Sequence, residues 1–257
     1  MMENLTHQGI QVTVVEKQRQ VMAPIDYDMA CGVHAYLRDK GVALRLDAAV
    51  EGFEETDSSL SVRLEGGERL ETDMVVLALG VVPDTGLAKE AGLTLGGRGA
   101  IVVNDRMETS APDIYAVGDA VQITHAVTGD PAWVPLAGPA NKQGRIAADN
   151  ISGRDSRFDG SQGTSILRVF DMTVAATGLN ERAAEAAGYR FDKVVTFSPS
   201  HATYYPGASN MTIKTVFERG SGRILGAQIV GFEGADKRID VLAAAVRGQM
   251  GAADLAE

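Results

Sequence analysis

Cysteine is nearly absent from this sequence, since Cys31 is the single cysteine in 257 residues. One thiol cannot form an internal disulfide, and it also excludes a Cys-x-x-Cys redox pair and a cysteine-rich zinc site within the sequence. Thiol chemistry would therefore need Cys31 or a residue outside this sequence. Cys31 lies on a predicted helix with no adjacent histidine or second cysteine, which favours a buried packing role.

Histidine is also scarce, and its four copies are widely spaced along the chain. No His-x-x-x-His spacing occurs among His7, His34, His125 and His201. Zinc sites usually need clustered nitrogen and sulfur ligands, which this pattern does not offer. We therefore predict no metal site.

Long apolar runs and clusters of basic residues are both missing. The longest apolar stretches, around residues 74–82 and 241–246, are much shorter than the roughly 20 residues that cross a bilayer. Residues 1–8 have neither a basic leader nor a signal-type apolar run, so we expect a cytoplasmic protein without a membrane partner. The formal charge of -10, with scattered lysine and arginine, argues against a nucleic-acid partner.

The first part of the chain has the alternation of a doubly wound domain. Residues 10–16 are rich in valine and threonine and predict a buried parallel strand. Residues 28–40 place Met29, Val33 and Leu37 on one helical face, and residues 42–46 predict a second strand. Short strands should follow over residues 50–79, with a hairpin turn at Gly66-Gly67.

The remainder of the chain divides at a segment without periodicity, residues 151–163. Before it we predict strands at residues 100–103 and 113–117 and a helix that begins at Gly138 or Pro139. After it, strands are interrupted by two helices, at residues 181–187 with Asn180 as the candidate N-cap and at residues 235–247 with an apolar face, which is an α+β pattern. We therefore expect three units, at residues 1–80, 81–155 and 160–257.

Glu16 ends the first predicted strand, where an acid in a doubly wound domain accepts the hydroxyls of an adenosine ribose. Such an acid follows a glycine-rich turn by about 20 residues, and only fifteen residues precede Glu16. We therefore expect the turn just upstream of Met1. Glu16 favours NADH over NADPH, although Lys17 and Arg19 could offset this preference; the alternative is an ordinary solvated acid.

Three segments resemble flavoenzyme motifs. Residues 109–119, Thr-Ser-Ala-Pro-Asp-Ile-Tyr-Ala-Val-Gly-Asp, resemble the second flavin-binding motif of the two-dinucleotide reductases. The resemblance assigns Asp119 to a ribityl hydroxyl of FAD and Gly118 to close backbone approach. Residues 73–84 resemble the strand and glycine turn at Gly80 that lead back into the FAD domain. Pro135, Leu136 and Ala137 begin a segment similar to the helix that faces the flavin pyrimidine.

Residues 201–208, His-Ala-Thr-Tyr-Tyr-Pro-Gly-Ala, together with residues 234–240, narrow the resemblance. They are similar to the dimerisation domain of the FAD-dependent pyridine nucleotide-disulfide oxidoreductases, in the subgroup of coenzyme A-disulfide reductases and NADH oxidases. In that subgroup a tyrosine of this region reaches the partner subunit's active site, and we assign this role to Tyr204 or Tyr205. The alternative is a buried aromatic pair at a strand turn.

The resemblance implies an α/β fold class: remnants of two doubly wound dinucleotide-binding domains, for NADH (residues 1–80) and FAD (residues 81–155), followed by an α+β dimerisation domain (residues 160–257). It implies a homodimer that passes electrons from NAD(P)H through FAD to a disulfide, coenzyme A-disulfide, persulfide or oxygen acceptor. The family's redox cysteine and N-terminal FAD segment have no counterpart here, so the chain alone should be colourless and inactive. Two alternatives remain open, a non-catalytic dimerisation module and an NADH:ferredoxin or nitrite reductase component.

Overall fold

The computed structural model describes residues 1–57 and 59–256. Ser58 and Glu257, the last residue of the third predicted unit, lie outside this description. The described helices are α1 (Met2–His7), α2 (Tyr27–Asp39), α3 (Gly86–Glu90), α4 (Ala137–Ile151), α5 (Glu181–Ala186) and α6 (Ala235–Arg247). The described strands are β1 (Thr13–Val15), β2 (Ala43–Arg45), β3 (Val50–Glu55), β4 (Leu60–Leu64), β5 (Arg69–Thr72), β6 (Ile101–Val102), β7 (Val121–Thr124), β8 (Pro131–Ala132), β9 (Ser165–Val169), β10 (Met172–Gly178), β11 (Phe191–Pro199), β12 (Asn210–Glu218) and β13 (Ile224–Gly231).

A five-stranded antiparallel sheet forms the centre of the molecule, with the strand order β11-β12-β13-β10-β9. Its central strand β13 is buried along its whole length. Helix α6 covers one face, where Ile239 and Leu242 pack against Ile229. Helix α2 covers the other face, where Val33 belongs to the same apolar cluster as Val230. The sheet is therefore a shared core between the N-terminal and C-terminal units.

The N-terminal unit contains the predicted strand, helix, strand order. Strands β1 and β2 pair in parallel, and α2 between them buries Met29, Val33 and Leu37 as the apolar periodicity predicts. Strands β3, β4 and β5 form an antiparallel sheet, and Gly66-Gly67 makes the turn between β4 and β5 with both φ angles at 88°. These local predictions are confirmed.

The middle unit is a small layer of β6, β7 and β8 covered by α4. Strands β6 and β7 are parallel, and their buried residues Val121 and Ile123 share a cluster with Ala147 of α4. The helix begins one residue before Gly138, so its predicted start is confirmed to within one residue. Because α4 packs on β7, the helix has a fixed position relative to Gly118–Ala120, the residues that immediately precede β7.

Two predicted strands do not form in the described part of the chain, at residues 73–79 and 113–117. Residues 73–82 have no regular pairing, and Leu79 and Val82 expose 90% and 83% of their surface. Within residues 113–117, only an isolated bridge from Tyr115 to Glu108 is present. A strand requires a neighbouring backbone to complete its ladder. Apolar content predicted these strands, but no strand of the described residues runs beside them.

The prediction that Cys31 is buried is wrong, because the thiol is exposed. Helix α2 turns Met29, Val33 and Leu37 toward the sheet, and Cys31 is on the side away from this stripe because two residues turn a helix by about 200°.

Among the helices of residues 1–57 and 59–256, none is long and apolar enough to cross a membrane.

Candidate functional site

The segment before β7 contains a short turn, Gly118–Ala120, that is held by two side chains. Gly118 has a φ angle of 87°, a conformation that other residues adopt at a cost. Its N–H donates to Oε1 of Gln143 at 2.7 Å, while Nε1 of Trp133 donates to the carbonyl oxygen of Asp119 at 2.6 Å. The carboxylate of Asp119 is exposed and has no hydrogen bond or ion pair with the described residues.

Helix α4, which begins at Ala137, contacts the Gly118–Ala120 turn. Leu136 is the N-cap residue in an extended conformation, without a side-chain cap, and the first helical turn contains no acidic side chain. The first amides of a helix carry partial positive charge. Pro135 also lines a cavity of about 430 Å³, together with Trp133 and Arg98, and the Arg98 guanidinium lies 5.6 Å from the centre of the Trp133 ring.

Glu16 and Lys17 lie at the carboxyl end of β1, as the sequence predicts. The Glu16 N–H donates to the Arg45 carbonyl at 2.9 Å, which extends the parallel pairing of β1 and β2 by one residue. Its Oε1 accepts the Gln18 N–H at 2.8 Å, so the second carboxylate oxygen has no protein donor among the described residues. Lys17 is exposed. Gly80 is also exposed, with a φ angle of 88°.

Tyr204 and Tyr205 lie in the loop between β11 and β12, and both side chains are exposed. They expose 82% and 61% of their surface, and their ring centroids are 4.8 Å apart. The alternative of a buried aromatic pair is therefore wrong. Both phenol groups are accessible to another molecule, and neither hydroxyl has a hydrogen bond with the described residues.

The structure brings only some of the predicted site residues together. Gly118 is joined to the second turn of α4 through Gln143. Glu16 lies at the end of β1, and Tyr204 lies in the loop between β11 and β12. Sequence reasoning missed Gln143 and Trp133. The available signals were a polar residue on the inner side of an amphipathic helix and the single tryptophan of the chain.

A buried ion cluster joins the N-terminal unit to the central sheet, and sequence reasoning missed it too. The Lys214 side chain on β12 is fully buried, with its Nζ 3.0 Å from Asp26 and 2.7 Å from Asp28, and it also contacts Glu181. The three carboxylates surround one point, but the ammonium of Lys214 occupies it. A buried charge requires partners of opposite sign, so the cluster is an ion-pair network and not a metal site.

The pKa values of the cluster reflect this pairing. Burial by itself would lower the pKa of Lys214, but hydrogen bonds to Asp28, Glu181 and Asp26 outweigh it and raise the pKa above 10.5. Burial would raise the pKa of Glu181, but hydrogen bonds from Lys193 and Lys214 outweigh it and lower the pKa below 4.5. The pKa of Asp28 is lowered in the same way by Lys214. The charged forms are therefore favoured at neutral pH.

Comparison with known protein families agrees with this geometry. A family model described as pyridine nucleotide-disulphide oxidoreductase matches residues 2–144, more than half of the chain. The chain belongs to this family. The model of the family's dimerisation domain matches residues 164–257, a range that contains the whole five-stranded sheet. The resemblance and the mixed α/β fold class are confirmed, while the predicted unit boundaries and site residues stay predictions.

Other family members share most of this chain. An NAD(P)H sulfur oxidoreductase (CoA-dependent) of Pyrococcus abyssi is 36% identical over 245 residues, which cover 95% of this chain and 54% of that protein. The crystal structure of reduced Bacillus anthracis CoADR-RHD has a TM-score of 0.96 and 47% identity, and the match covers 99% of this chain and 46% of that one. An NAD-dependent persulfide reductase from A. fulgidus has a TM-score of 0.96 and 40% identity, with 99% and 47% coverage. The chain spans about half the length of these relatives.

Proposed function

We propose that this chain is the part of an FAD-dependent NAD(P)H oxidoreductase that contacts the flavin ribityl chain, the nicotinamide-dinucleotide ribose and the partner subunit. The three roles fall to residues 1–80 for NAD(P)H, 81–155 for FAD and 160–257 for dimerisation. Family membership and the geometry of the Gly118–Asp119 turn support this assignment.

The observation that carries the proposal is the open carboxylate of Asp119 after a left-handed glycine. The two backbone groups of the turn are already satisfied by Gln143 and Trp133, so the side chain is free to accept hydrogen bonds from a ligand. No atom lies within 4 Å of the position that a Cβ on Gly118 would occupy, which leaves room for close approach of a sugar-alcohol chain. The residues therefore fit the ribityl portion of FAD.

The start of α4 supplies the second flavin contact in this proposal. The N–H groups of Ala137 and Gly138 have no acceptor among the described residues, and the helix dipole adds positive charge there. Bound FAD would supply two-electron chemistry between NAD(P)H and the acceptor. The chain itself would orient the ring and stabilise negative charge on its pyrimidine side from Pro135, Leu136 and Ala137.

Glu16 supports NADH as the preferred electron donor. Its free carboxylate oxygen at the end of β1 can accept a ribose hydroxyl and repels a 2′-phosphate. Lys17 is exposed beside it and reduces this discrimination. Replacement of Glu16 by alanine should therefore weaken NADH binding and narrow the preference for NADH over NADPH, which steady-state KM values for both donors would measure.

The named relatives indicate a sulfur acceptor. They include an NAD(P)H sulfur oxidoreductase and a persulfide reductase, so we propose a homodimer that acts on a disulfide such as coenzyme A-disulfide or on a persulfide, with oxygen as the alternative acceptor. Tyr204 or Tyr205 would reach the partner subunit's active site, and the exposure of both phenols supports this role. A phenol can donate a hydrogen bond to a thiolate there.

Reconstitution tests the proposal. The protein expressed from its complete reading frame is incubated with FAD, freed of excess cofactor, and mixed with NADH without oxygen. We expect a flavin spectrum that bleaches with NADH, faster than with NADPH. A dimer that retains no flavin would contradict the proposal and favour the dimerisation module, and flavin reduction without turnover of any thiol acceptor would favour the ferredoxin or nitrite reductase component.

A further inference from the structure

We infer that Gln143 and Trp133 are positioning residues of the flavin site: together they hold the backbone from which the Asp119 carboxylate projects. This inference rests on the proposed FAD-binding function and adds two residues that do not touch the ligand through their own polar groups. The two residues come from different elements, α4 and the segment after β8, and they hold opposite ends of the same turn.

Gln143 acts from the inside. Its side chain is only 1% exposed, and its Oε1 accepts the Gly118 N–H at 2.7 Å. A buried amide without a partner is costly, so this bond is strongly favoured once α4 has packed on β7. Because Gln143 lies in the second turn of α4, the bond ties the backbone of the Gly118–Asp119 turn to a packed helix.

Trp133 acts from the outside. Its indole N–H donates to the Asp119 carbonyl at 2.6 Å, and the Arg98 guanidinium lies over the ring, 5.6 Å from the ring centroid. A rigid ring between a guanidinium and a backbone carbonyl can move little. With the N–H of Gly118 and the carbonyl of Asp119 both held, the backbone of the turn is restrained, and with it the direction of the Cα–Cβ bond from which the Asp119 carboxylate projects.

The test is a set of FAD affinities for the protein expressed from its complete reading frame, measured by flavin fluorescence after removal of bound cofactor. Gln143→Leu removes the acceptor, and Trp133→Phe removes the donor but keeps a ring against Arg98. We expect each variant to raise the Kd for FAD about tenfold. Trp133 is half-buried, so Trp133→Phe remains informative if Gln143→Leu does not fold.

Asn150→Leu is the matched control. Asn150 is a buried amide on the same face of the same helix, two turns further along, but its Nδ2 donates to the carbonyls of Arg106, Ile146 and Ser156 and not to the Gly118–Asp119 turn. We expect this variant to lower the melting temperature without a comparable change in FAD affinity. A loss of affinity equal to that of Gln143→Leu would show that any damage to α4 has this effect, and it would overturn the inference.

A double-mutant cycle separates positioning from general destabilisation. If Gln143 and Trp133 act through Asp119, then adding Gln143→Leu to Asp119→Ala should raise the Kd no further than Asp119→Ala alone. Additive losses would overturn the inference, as would unchanged affinity in both single variants. Failure of the unaltered protein to bind FAD would overturn the proposed function itself, which is a different result from these.

Discussion

At the residue scale, the Gly118–Asp119 turn combines a left-handed glycine backbone with an exposed, charged carboxylate. The φ angle of 87° at Gly118 allows the turn, and the exposed carboxylate next to it has no protein partner among the described residues. The positive φ angle favours glycine at this position, and the unpaired carboxylate beside it is available to a ligand. The chemical proposal therefore depends on a few atoms of this turn.

Replacing Gly118 tests the conformational requirement. Gly118→Ala meets no steric obstacle, because no atom lies within 4 Å of the new Cβ, so the left-handed backbone alone should lower the free energy of unfolding by about 1–2 kcal/mol. Gly144→Ala is the control, since Gly144 lies inside α4 with equally open space around it. It should raise the free energy of unfolding by about 0.5–1 kcal/mol. Urea unfolding of both variants measures the difference, and equal effects would contradict the argument.

The glycine and acid of the turn could be predicted from the sequence, but the residues that hold it could not. A Gly-Asp pair after an apolar run is a local pattern, visible without a structure. The partners of Gly118 and Asp119 are 25 and 14 positions away in the sequence, and the packing of α4 on β7 and the pairing of β8 with β7 bring them near. Contacts of this kind depend on tertiary structure, so local patterns do not reveal them.

At the element scale, the Lys214 cluster connects α2, α5 and β12. It places one buried cation among carboxylates from two units of the chain. Removal of the cation would leave the buried carboxylate of Asp26 without its ion-pair partner, which is more costly than loss of an exposed ion pair. The cluster therefore adds a polar contact to the apolar packing that already holds α2 on the sheet.

Lys214→Met should lower the free energy of unfolding by about 3 kcal/mol, because it removes the buried partner of three carboxylates. Lys193→Met is the matched control, since Lys193 donates to the same Glu181 at 2.6 Å but is 46% exposed. Its effect should be below about 1 kcal/mol. Denaturant unfolding at pH 7 compares the free energies of unfolding of the two variants. Similar small losses in both variants would mean that the buried cluster contributes little.

The same cluster predicts a dependence of stability on acid pH. Glu181 and Asp28 have pKa values below 4.5 and 3.8 in the folded protein, so they contribute stability above their unfolded-state pKa values and lose it as pH falls through the folded ones. Stability should thus decline below about pH 4.5 in the unaltered protein, and less steeply in Lys214→Met. Unfolding free energies from about pH 5 to about pH 3 test this. Parallel curves of unfolding free energy against pH for the unaltered protein and Lys214→Met would contradict this prediction.

Helices were more predictable than strands at this scale. The periodicity of α2 and α6 and the N-cap of α5, where Asn180 accepts the Ala183 N–H at 2.8 Å, are local properties, and all three helices form. Residues 73–79 have strand composition, but a strand forms only when another backbone lies beside it. The sequence of a segment contains its apolar pattern, but not the position of its neighbours.

At the scale of the whole molecule, apolar exposure is uneven. The dimerisation part has a sheet covered on both faces, whereas Leu79, Val81 and Val82 expose 90%, 69% and 83% of their surface next to one another. Unpaired apolar segments of this kind promote association between chains. The described residues therefore combine a sheet covered on both faces with an exposed apolar segment at residues 79–82.

We expect the 257-residue chain to self-associate as its concentration rises, and Leu79→Lys to reduce this association. Leu87→Lys is the control, because Leu87 is also 83% exposed but lies on α3, where the backbone groups are paired within the helix. Light scattering coupled to gel filtration measures the mass of each variant. Equal association of both variants would show that residues 79–82 are not responsible.

The central claim is that Asp119 binds FAD, and the most direct measurement is the FAD affinity of Asp119→Ala in the protein expressed from its complete reading frame. Loss of a charge-assisted hydrogen bond should raise the Kd about 10- to 100-fold. Asp130→Ala, which removes an exposed carboxylate from the turn between β7 and β8, should leave the Kd unchanged. If Asp119→Ala binds FAD as tightly as Asp130→Ala does, the account is contradicted.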